Sequence, residues 1–140
     1  METFKANFAT ASLEAQQWGD AKAAFQQALT SNPKSAESYH GLAKALEGMD
    51  SFPHDQLKEA IPKFSLATQI KPQNPQFQYD LCSAAFKLRD NRVAKEACEK
   101  GIKLAGGYAP LHFTLGRVLE EMVSRVNGLN ALFPWKGCLI

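Results

Sequence analysis

The chain has 140 residues, of which 16 are Lys or Arg and 14 are Asp or Glu, so its formal net charge is only +2. This length is typical of one domain. Basic and acidic residues are interspersed, and the sequence shows no basic stripe of the kind that binds nucleic acid. No apolar run is long enough to span a bilayer. We therefore expect neither a nucleic acid nor a membrane as a partner.

A pattern of small and aromatic residues with the spacing Ala-x3-Phe-x2-Ala-x4-Pro recurs along the chain. Its copies stand at Ala21/Phe25/Ala28/Pro33, at Ala60/Phe64/Ala67/Pro72 and, in a degenerate form, at Ala94/Cys98/Gly101/Gly106. The last two copies are 34 residues apart, a period typical of stacked two-helix repeats. Small residues on one helical face allow a second helix to approach closely. Each copy therefore predicts the second helix of a pair.

A different pattern predicts the first helix of each pair. Its copies are Tyr39/Leu42/Ala43/Leu46, Gln78/Leu81/Cys82/Ala85 and His112/Leu115/Gly116/Leu119. In both patterns the first interval exceeds the second by five residues. The excess must lie between Leu46 and Ala60, and Gly, Pro, Ser and Asp in segment 48–55 predict a longer turn there.

These residues resemble the tetratricopeptide repeat (TPR), whose consensus is W-x2-L-G-x2-Y followed by A-x3-F and P. The second repeat matches best, whereas Lys5 replaces an aromatic residue in the first repeat. In the third repeat, Cys98 and Gly101 replace Phe and Ala. The resemblance implies an all-α fold, a right-handed superhelical stack of antiparallel helix pairs. No segment shows the two-residue alternation of a half-buried strand, which agrees with this fold class.

In chain order, the predicted elements end in a helix and a tail outside the repeats. They are repeats over 2–35, 36–74 and 75–108, a further helix over 109–126 and an apolar tail over 127–140. Pro33 and Pro72 are expected to end helices, because proline disfavours helical backbone in the residue before it. Asn74 followed by Pro75 predicts an N-cap with proline in the first turn. Three interpretations of the tail stay open: it folds back over the last helix, it binds another molecule, or the array continues in a longer product.

Cys82 and Cys98 occupy a small and an aromatic packing position of the third repeat, so we predict buried thiols. The two positions face each other, which makes a disulfide feasible. We nevertheless expect free thiols, because the sequence starts with neither a basic leader nor an apolar signal segment and disulfides are rare in the cytosol. Cys138 lies in the tail. The expected location is cytoplasmic.

The sequence offers no constellation for catalysis. It contains neither a P-loop nor a GxGxxG motif, and its histidines at positions 40, 54 and 112 have no second ligand at metal-binding spacing. Glu120 and Glu121 are adjacent on a predicted helix and therefore do not face each other. We predict a chain that is not an enzyme and that holds no metal and no cofactor.

The resemblance also implies a concave groove, lined by the first helix of each repeat, in which TPR domains commonly bind an extended peptide. Position by position, the predicted peptide-binding residues are Asn7, Thr10, His40, Lys44, Tyr79, Ser83, Phe86, Phe113 and Arg117. Aromatic residues and arginine are common hot spots of interfaces. Phe86 has the alternative of packing between repeats. Two cations of the groove favour an acidic ligand and four carboxylates oppose it, so the charge of the ligand stays open.

One TPR subfamily grips the C-terminal aspartate of chaperones with a clamp of two Lys, two Asn and one Arg. The matching positions here are Ala6, Thr10, Gly41, Gln76 and Asp80, and none retains the clamp residue. Two or more charge-assisted hydrogen bonds, each worth roughly 1.5–3 kcal/mol, are lost. We therefore predict that the chain does not bind such a tail.

The function predicted from the sequence is that of a protein-interaction scaffold, which binds a peptide or a helix of a partner in the groove. The alternative is a structural subunit that self-associates through its last helix and tail. That alternative depends on the last helix, which carries more apolar residues than one buried face uses, although the ends of a helical solenoid need a polar face or a cap.

Overall fold

The structure, a computed structural model, describes the backbone of residues 2–51 and 53–132 and the side chains of residues 7–51 and 53–128. The described residues form helices without a strand. In chain order these are α1 (Glu2–Glu14), α2 (Trp18–Ser31), α3 (Ala36–Met49), α4 (Asp55–Ile70), α5 (Pro75–Lys87), α6 (Asn91–Leu104) and α7 (Ala109–Leu132). The tail residues 133–140, with Cys138, lie outside the described part of the chain.

The helices pack as consecutive antiparallel pairs. The most extensive contacts join α1 to α2, α3 to α4 and α5 to α6, and each pair also packs on the next one. α7 packs on both α6 and α5, as the first helix of a further pair would. One core therefore runs through the whole stack, and each pair buries its apolar face on a neighbour.

The residues of the repeated pattern form this core. Ala21 and Ala60 are fully buried, and Phe25 and Phe64 belong to the same hydrophobic core, where the Phe25 ring lies against Gly41 of the next pair. The small side chains let the helix axes approach, and the rings then occupy the space that remains. The prediction that these patterns mark packed helix pairs is therefore confirmed.

Local signals fix where the helices begin and end. Asn74 caps α5 by accepting a hydrogen bond from the Gln76 backbone N–H at 3.0 Å, and Pro75 is the first helical residue, as predicted. The turn between α3 and α4 spans residues 50–54 and is longer than the turns at 15–17 and 88–90. In this longer turn, Asp50 accepts hydrogen bonds from the Leu57 backbone N–H at 3.0 Å and from the His54 ring at 2.6 Å.

The third pair differs from the prediction of free thiols. Cys82 on α5 and Cys98 on α6 are both fully buried, and they form a disulfide with a Cα–Cα distance of 5.4 Å. The expectation of two reduced cysteines is therefore wrong. The physical reason is positional, because facing packing slots on paired helices bring the two Cα atoms within the range that a disulfide spans.

α7 also differs from the prediction, since it continues through residues 127–132, which the sequence analysis assigns to the tail. Gly128 alone costs a helix only about 1 kcal/mol, and the first proline after Pro110 is Pro134. No helix-breaking residue therefore stands between Val126 and Leu132. Within the described residues, no helix combines the length and the apolar character that crossing a membrane requires.

Candidate functional site

The first helices of the pairs share one side of the stack, which we call the groove face. α1 contacts α3, and α5 contacts α7, without an intervening second helix. Residues at one repeat position on these helices therefore form rows across the face. Lys44 on α3, Ser83 on α5 and Arg117 on α7 occupy one such row, and His40, Tyr79 and Phe113 occupy another.

A cavity of about 450 Å³ opens between α5 and α7 on the groove face. Its lining residues are Tyr79, Ser83, Phe86, Lys87, Arg89, Phe113, Thr114, Arg117 and Glu121. We call it the α5–α7 cavity. Its volume falls within the range of small-ligand pockets and suits one or two side chains of a partner.

Five of the nine predicted peptide-binding residues line this cavity, namely Tyr79, Ser83, Phe86, Phe113 and Arg117. The other four lie elsewhere on the face. Asn7 and Thr10 are exposed on α1, and His40 and Lys44 are half-buried on α3. The structure therefore brings the predicted residues of α5 and α7 together in one cavity.

Arg117 is held by two aromatic rings. Its Cζ lies 5.0 Å from the centroid of the Phe86 ring and 5.9 Å from that of Phe113. A guanidinium within about 6 Å of a ring centroid is attracted by the π-electrons. Phe86 is half-buried and also packs on the core, whereas Phe113 is 69% exposed. Phe86 thus packs on the core and also lines the cavity.

Tyr79 in the cavity lining is supported by Tyr108, which lies outside the lining. Tyr79 meets Tyr108 edge-to-face, with ring centroids 5.6 Å apart. Tyr108 in turn donates a hydrogen bond through its hydroxyl to Oε1 of Gln76 at 3.3 Å. These contacts fix the Tyr79 ring. Thr114, which is almost fully buried, places its side chain in the cavity wall.

Most of the charged residues that line the cavity form ion pairs. Oε1 of Glu121 accepts from Arg89 at 3.1 Å and from Arg125 at 3.2 Å. Lys87, also in the lining, forms an ion pair with Glu47 of α3. Arg89 escaped the sequence analysis because it lies in the turn after α5, where its φ of 63° is left-handed. A repeat pattern for the helices carries no signal for such a residue.

The His40 side chain packs against α5 and is not free in the groove. Its Nε2 is hydrogen-bonded to Oδ2 of Asp80 on α5, and its ring stacks on Phe77 with centroids 4.5 Å apart. The other Asp80 oxygen accepts from Gln76 Nε2 at 3.2 Å. Asp80 is only 8% exposed. A carboxylate in the groove is thereby engaged within the protein.

Two further positions that match the chaperone-tail clamp are also engaged in contacts within the protein. Gly41 is buried, and a Cβ atom there would lie 2.2 Å from Cζ of Phe25. No side chain fits at that position without displacing the ring. Gln76 is engaged with Asp80 and Tyr108. The packing of this chain therefore agrees with the missing clamp residues.

Glu37 at one end of the groove face is paired as well. The Lys71 ammonium donates a hydrogen bond to its Oε1, and this bond holds the pKa of the Glu37 carboxyl below its ordinary value. Over the side chains that the structure describes, no carboxylate lies within ion-pair distance of Lys44 or Arg117. Those residues also contain no cluster of three potential metal ligands.

The paired helices, their shared core and the groove face define an all-α solenoid of the TPR type. No protein-family model matches the sequence, and no curated protein sequence matches it. Solved structures match the fold. The prediction of a TPR-type stack is confirmed by them.

Three of these structures show the extent of the likeness. The Sgt2 TPR domain from Aspergillus fumigatus has a TM-score of 0.80 at 22% identity, over 91% of this chain and 83% of that one. MamA has a TM-score of 0.77 at 21% identity, over 86% of this chain but only 63% of its own. The first TPR of Spaghetti (RPAP3), bound to the HSP90 peptide SRMEEVD, has a TM-score of 0.79 at 12% identity, over 87% and 93%.

Proposed function

We propose that this chain is a protein-interaction module that binds a peptide or a helix of another protein on the groove face. The α5–α7 cavity carries the proposal. It combines an exposed aromatic residue, Phe113, with a fixed Tyr79 ring and an arginine, and such residues dominate the energetics of interfaces. An aromatic side chain that is 69% exposed at the mouth of a cavity is available to an incoming chain.

The fold supports the same proposal. The Spaghetti domain, which shares it, is bound to a peptide. None of the five positions that match the chaperone-tail clamp lines the α5–α7 cavity, so we expect a ligand different from a chaperone tail. A cavity of about 450 Å³ is large enough for anchoring side chains but too small for a folded domain.

The experiment is an affinity capture with the full chain, in which the captured protein is identified and then produced in pure form. Tyr79→Ala combined with Phe113→Ala is expected to abolish its binding while the helical circular dichroism signal stays unchanged. Ile70→Ala, which truncates an exposed apolar residue at the end of α4, is the matched control and should bind normally. Retained binding in the double variant would place the contact outside the cavity.

The proposal includes a non-catalytic role that needs no metal and no cofactor, together with a cytoplasmic location and no nucleic-acid or membrane partner. Structural disulfides persist mainly in oxidising compartments, but thiol–disulfide exchange needs access to a sulfur atom, and Cys82 and Cys98 are both fully buried. The bond is therefore compatible with a cytoplasmic location. Microscopy of the tagged full chain tests the location, and a signal confined to an oxidising compartment would contradict it.

The second candidate is self-association through α7. Leu119 and Val123 are 41% and 57% exposed, and they line an open apolar face together with Gly116. At the repeat position of Gly116, Ala43 and Cys82 are fully buried. The difference arises because α4 and α6 cover those residues, whereas the described chain provides no second helix after α7.

Light scattering on the full chain tests this candidate. If the wild type is a dimer and Leu119→Glu with Val123→Glu is a monomer of unchanged helicity, self-association through α7 is supported. A wild type that stays monomeric at high micromolar concentration would eliminate it and leave the groove proposal in place.

A further inference from the structure

We propose that the α5–α7 cavity is a carboxylate-binding site, in which Arg117 holds an acidic side chain of an extended peptide and Phe113 covers an apolar neighbour of that side chain. The inference rests on the proposed function and specifies its ligand. It concerns α5 and α7, and Arg117 lies at none of the positions that match the chaperone-tail clamp.

Cations outnumber carboxylates among the residues that line the cavity. Three cations, Lys87, Arg89 and Arg117, face the cavity, and Glu121 is its only lining carboxylate among the described residues. Glu121 is bound by Arg89 and also by Arg125 from outside the lining. Lys87 in turn pairs with Glu47, so Arg117 is the lining cation that has no ion-pair partner among the described residues. One positive charge is therefore left over, and the cavity favours anionic over cationic or neutral groups.

Arg117 is positioned by aromatic contacts and has no ion-pair partner among the described residues. The rings of Phe86 and Phe113 hold its guanidinium in place, and no described carboxylate pairs with it. A guanidinium has five N–H donors in a planar fork that matches a carboxylate bidentately. Because the aromatic contacts restrict the side chain in advance, little of its conformational entropy is lost on binding.

Most acidic residues of the groove have partners within the protein. Glu37 is bound by Lys71, Glu47 by Lys87, and the nearly buried Asp80 by His40 and Gln76. Glu37 and Glu47 would oppose an acidic ligand if they were free, but each is paired with a lysine. Asp80 is nearly buried and does not line the cavity. Glu14 lies on α1 and does not line the cavity.

Lys44 extends the site across the groove. It shares its repeat position with Ser83 and Arg117, and no described carboxylate pairs with it either. Neighbouring helices lie about 8–10 Å apart, so the two cations are separated by on the order of 20 Å. An extended chain rises about 3.3 Å per residue. The ligand is therefore an extended segment with acidic residues roughly six positions apart.

The test uses a fluorescein-labelled ten-residue peptide of alternating Glu and Leu, and the matched peptide with Gln in place of every Glu. Anisotropy is measured with the full chain at low and at physiological salt. We expect the Glu peptide to bind at least tenfold more tightly than the Gln peptide, and its affinity to fall with salt because the contact is ionic. Equal binding of the two peptides would overturn the carboxylate site.

Variants locate the contact. Arg117→Gln should weaken the Glu peptide at least tenfold, and Arg117→Lys should restore only part of the loss because lysine lacks the planar fork. Lys100→Gln, which removes an exposed charge from α6, is the charge-matched control and should bind as the wild type does. An Arg117→Gln variant that binds normally would overturn the assignment.

Two further measurements test the Arg117 contact without a variant and distinguish a carboxylate site from a phosphate site. The Arg117 Nε–Hε resonance of the unmodified chain should shift on titration with the Glu peptide, and an unmoved resonance would refute the contact without any variant. A single-stranded oligothymidine that displaces the peptide more effectively than free peptide does would show a preference for phosphate and overturn the proposal. If the partner captured through Tyr79 and Phe113 ignores salt and Arg117→Gln, the carboxylate site fails while the proposed function stands.

Discussion

His40 and Asp80, which lie 40 positions apart on α3 and α5, are hydrogen-bonded across the boundary between the second and third helix pairs. The His40 ring is stacked on Phe77 and edge-on to Phe64, with the latter centroids 5.8 Å apart. The Asp80 carboxylate also accepts from Gln76. A polar contact that is mostly enclosed by aromatic rings therefore joins two repeats at the groove face.

Replacing Asp80 should show how much this contact stabilises the stack. Asp80→Ala leaves the His40 ring without its partner, and a buried group left unsatisfied costs about 1–3 kcal/mol. Asp80→Asn keeps an acceptor and should cost less. The free energies of unfolding, measured in urea, are expected to follow this order.

A double-mutant cycle provides the control. His40→Leu with Asp80→Ala should destabilise less than the sum of the single changes, because residues in one hydrogen bond are coupled. Strict additivity would show that the hydrogen bond contributes nothing to stability.

Reduction of the Cys82–Cys98 disulfide should destabilise the third pair. The bond closes a loop of sequence separation 16, and the chain-entropy model gives about 3 kcal/mol for a loop of this size. Thermal unfolding with and without a phosphine reductant measures the effect. Cys82→Ala with Cys98→Val serves as the control, since its melting temperature should not respond to the reductant.

Thiol counting checks the same bond chemically. The chain contains three cysteines. Denatured, unreduced protein should be alkylated at one of them and reduced protein at all three. Alkylation of three cysteines without reduction would contradict the disulfide.

Much of the fold could be predicted because the spacing of small and aromatic side chains records how each helix packs. Gly101 shows why the third repeat departs from the pattern, since a Cβ there would lie 2.8 Å from Cδ2 of Leu111. The disulfide could not be predicted, because spacing places two thiols together but does not fix their oxidation state. Arg89 could not be assigned to the cavity either, because its direction is set by a left-handed turn residue.

Asn91 at the start of α6 lies where the other pairs have Trp18 and Leu57. It is buried, and neither its Oδ1 nor its Nδ2 has a hydrogen-bond partner among the described residues. A buried polar group without a partner costs about 1–3 kcal/mol. Asn91→Leu should therefore raise the free energy of unfolding by roughly 1–2 kcal/mol.

Chemical denaturation of Asn91→Leu and of Asn91→Ala separates the two contributions. Leu removes the unsatisfied amide and fills its space, whereas Ala removes the amide but leaves a void. We expect Leu to be more stable than Ala. A destabilised Leu variant would indicate that the amide is satisfied in solution, for example by an ordered water.

The pKa of Glu37 should depend on Lys71. In the folded protein the Lys71 hydrogen bond lowers this pKa from its ordinary value of 4.5. A lowered folded pKa adds stability that is present above the ordinary value and lost as the pH falls through the folded value. Lys71→Met should raise the Glu37 pKa toward the ordinary value, as measured by titration of its side-chain carboxyl resonance.

Because Glu37 and Lys71 are largely exposed, the effect on unfolding at neutral pH should be small. Lys100→Met, far from the pair in sequence and without an ion pair to Glu37, is the control and should leave the titration unchanged. An unmoved Glu37 pKa in Lys71→Met would show that the pair does not persist in solution.

Gly41 and Gly116 are helical glycines with opposite surroundings, and they predict opposite effects of the same substitution. A Cβ at Gly41 would meet three carbons of the Phe25 ring at 2.2–2.6 Å, whereas a Cβ at Gly116 would meet no atom of the described residues within 4 Å. Gly41→Ala should therefore destabilise by about 1–3 kcal/mol through overpacking. Gly116→Ala should stabilise by about 1 kcal/mol, because alanine favours the helix.

Urea unfolding of the two variants tests this contrast directly. Gly41→Asn, which would introduce one residue of the chaperone-tail clamp, should be at least as destabilising as Gly41→Ala because its side chain is larger. Phe25→Leu would relieve the clash, and it should reduce the cost of Gly41→Ala when the two are combined. A neutral Gly41→Ala variant would mean that the Phe25 ring moves aside freely, and the packing argument against a clamp residue at this position would then fail.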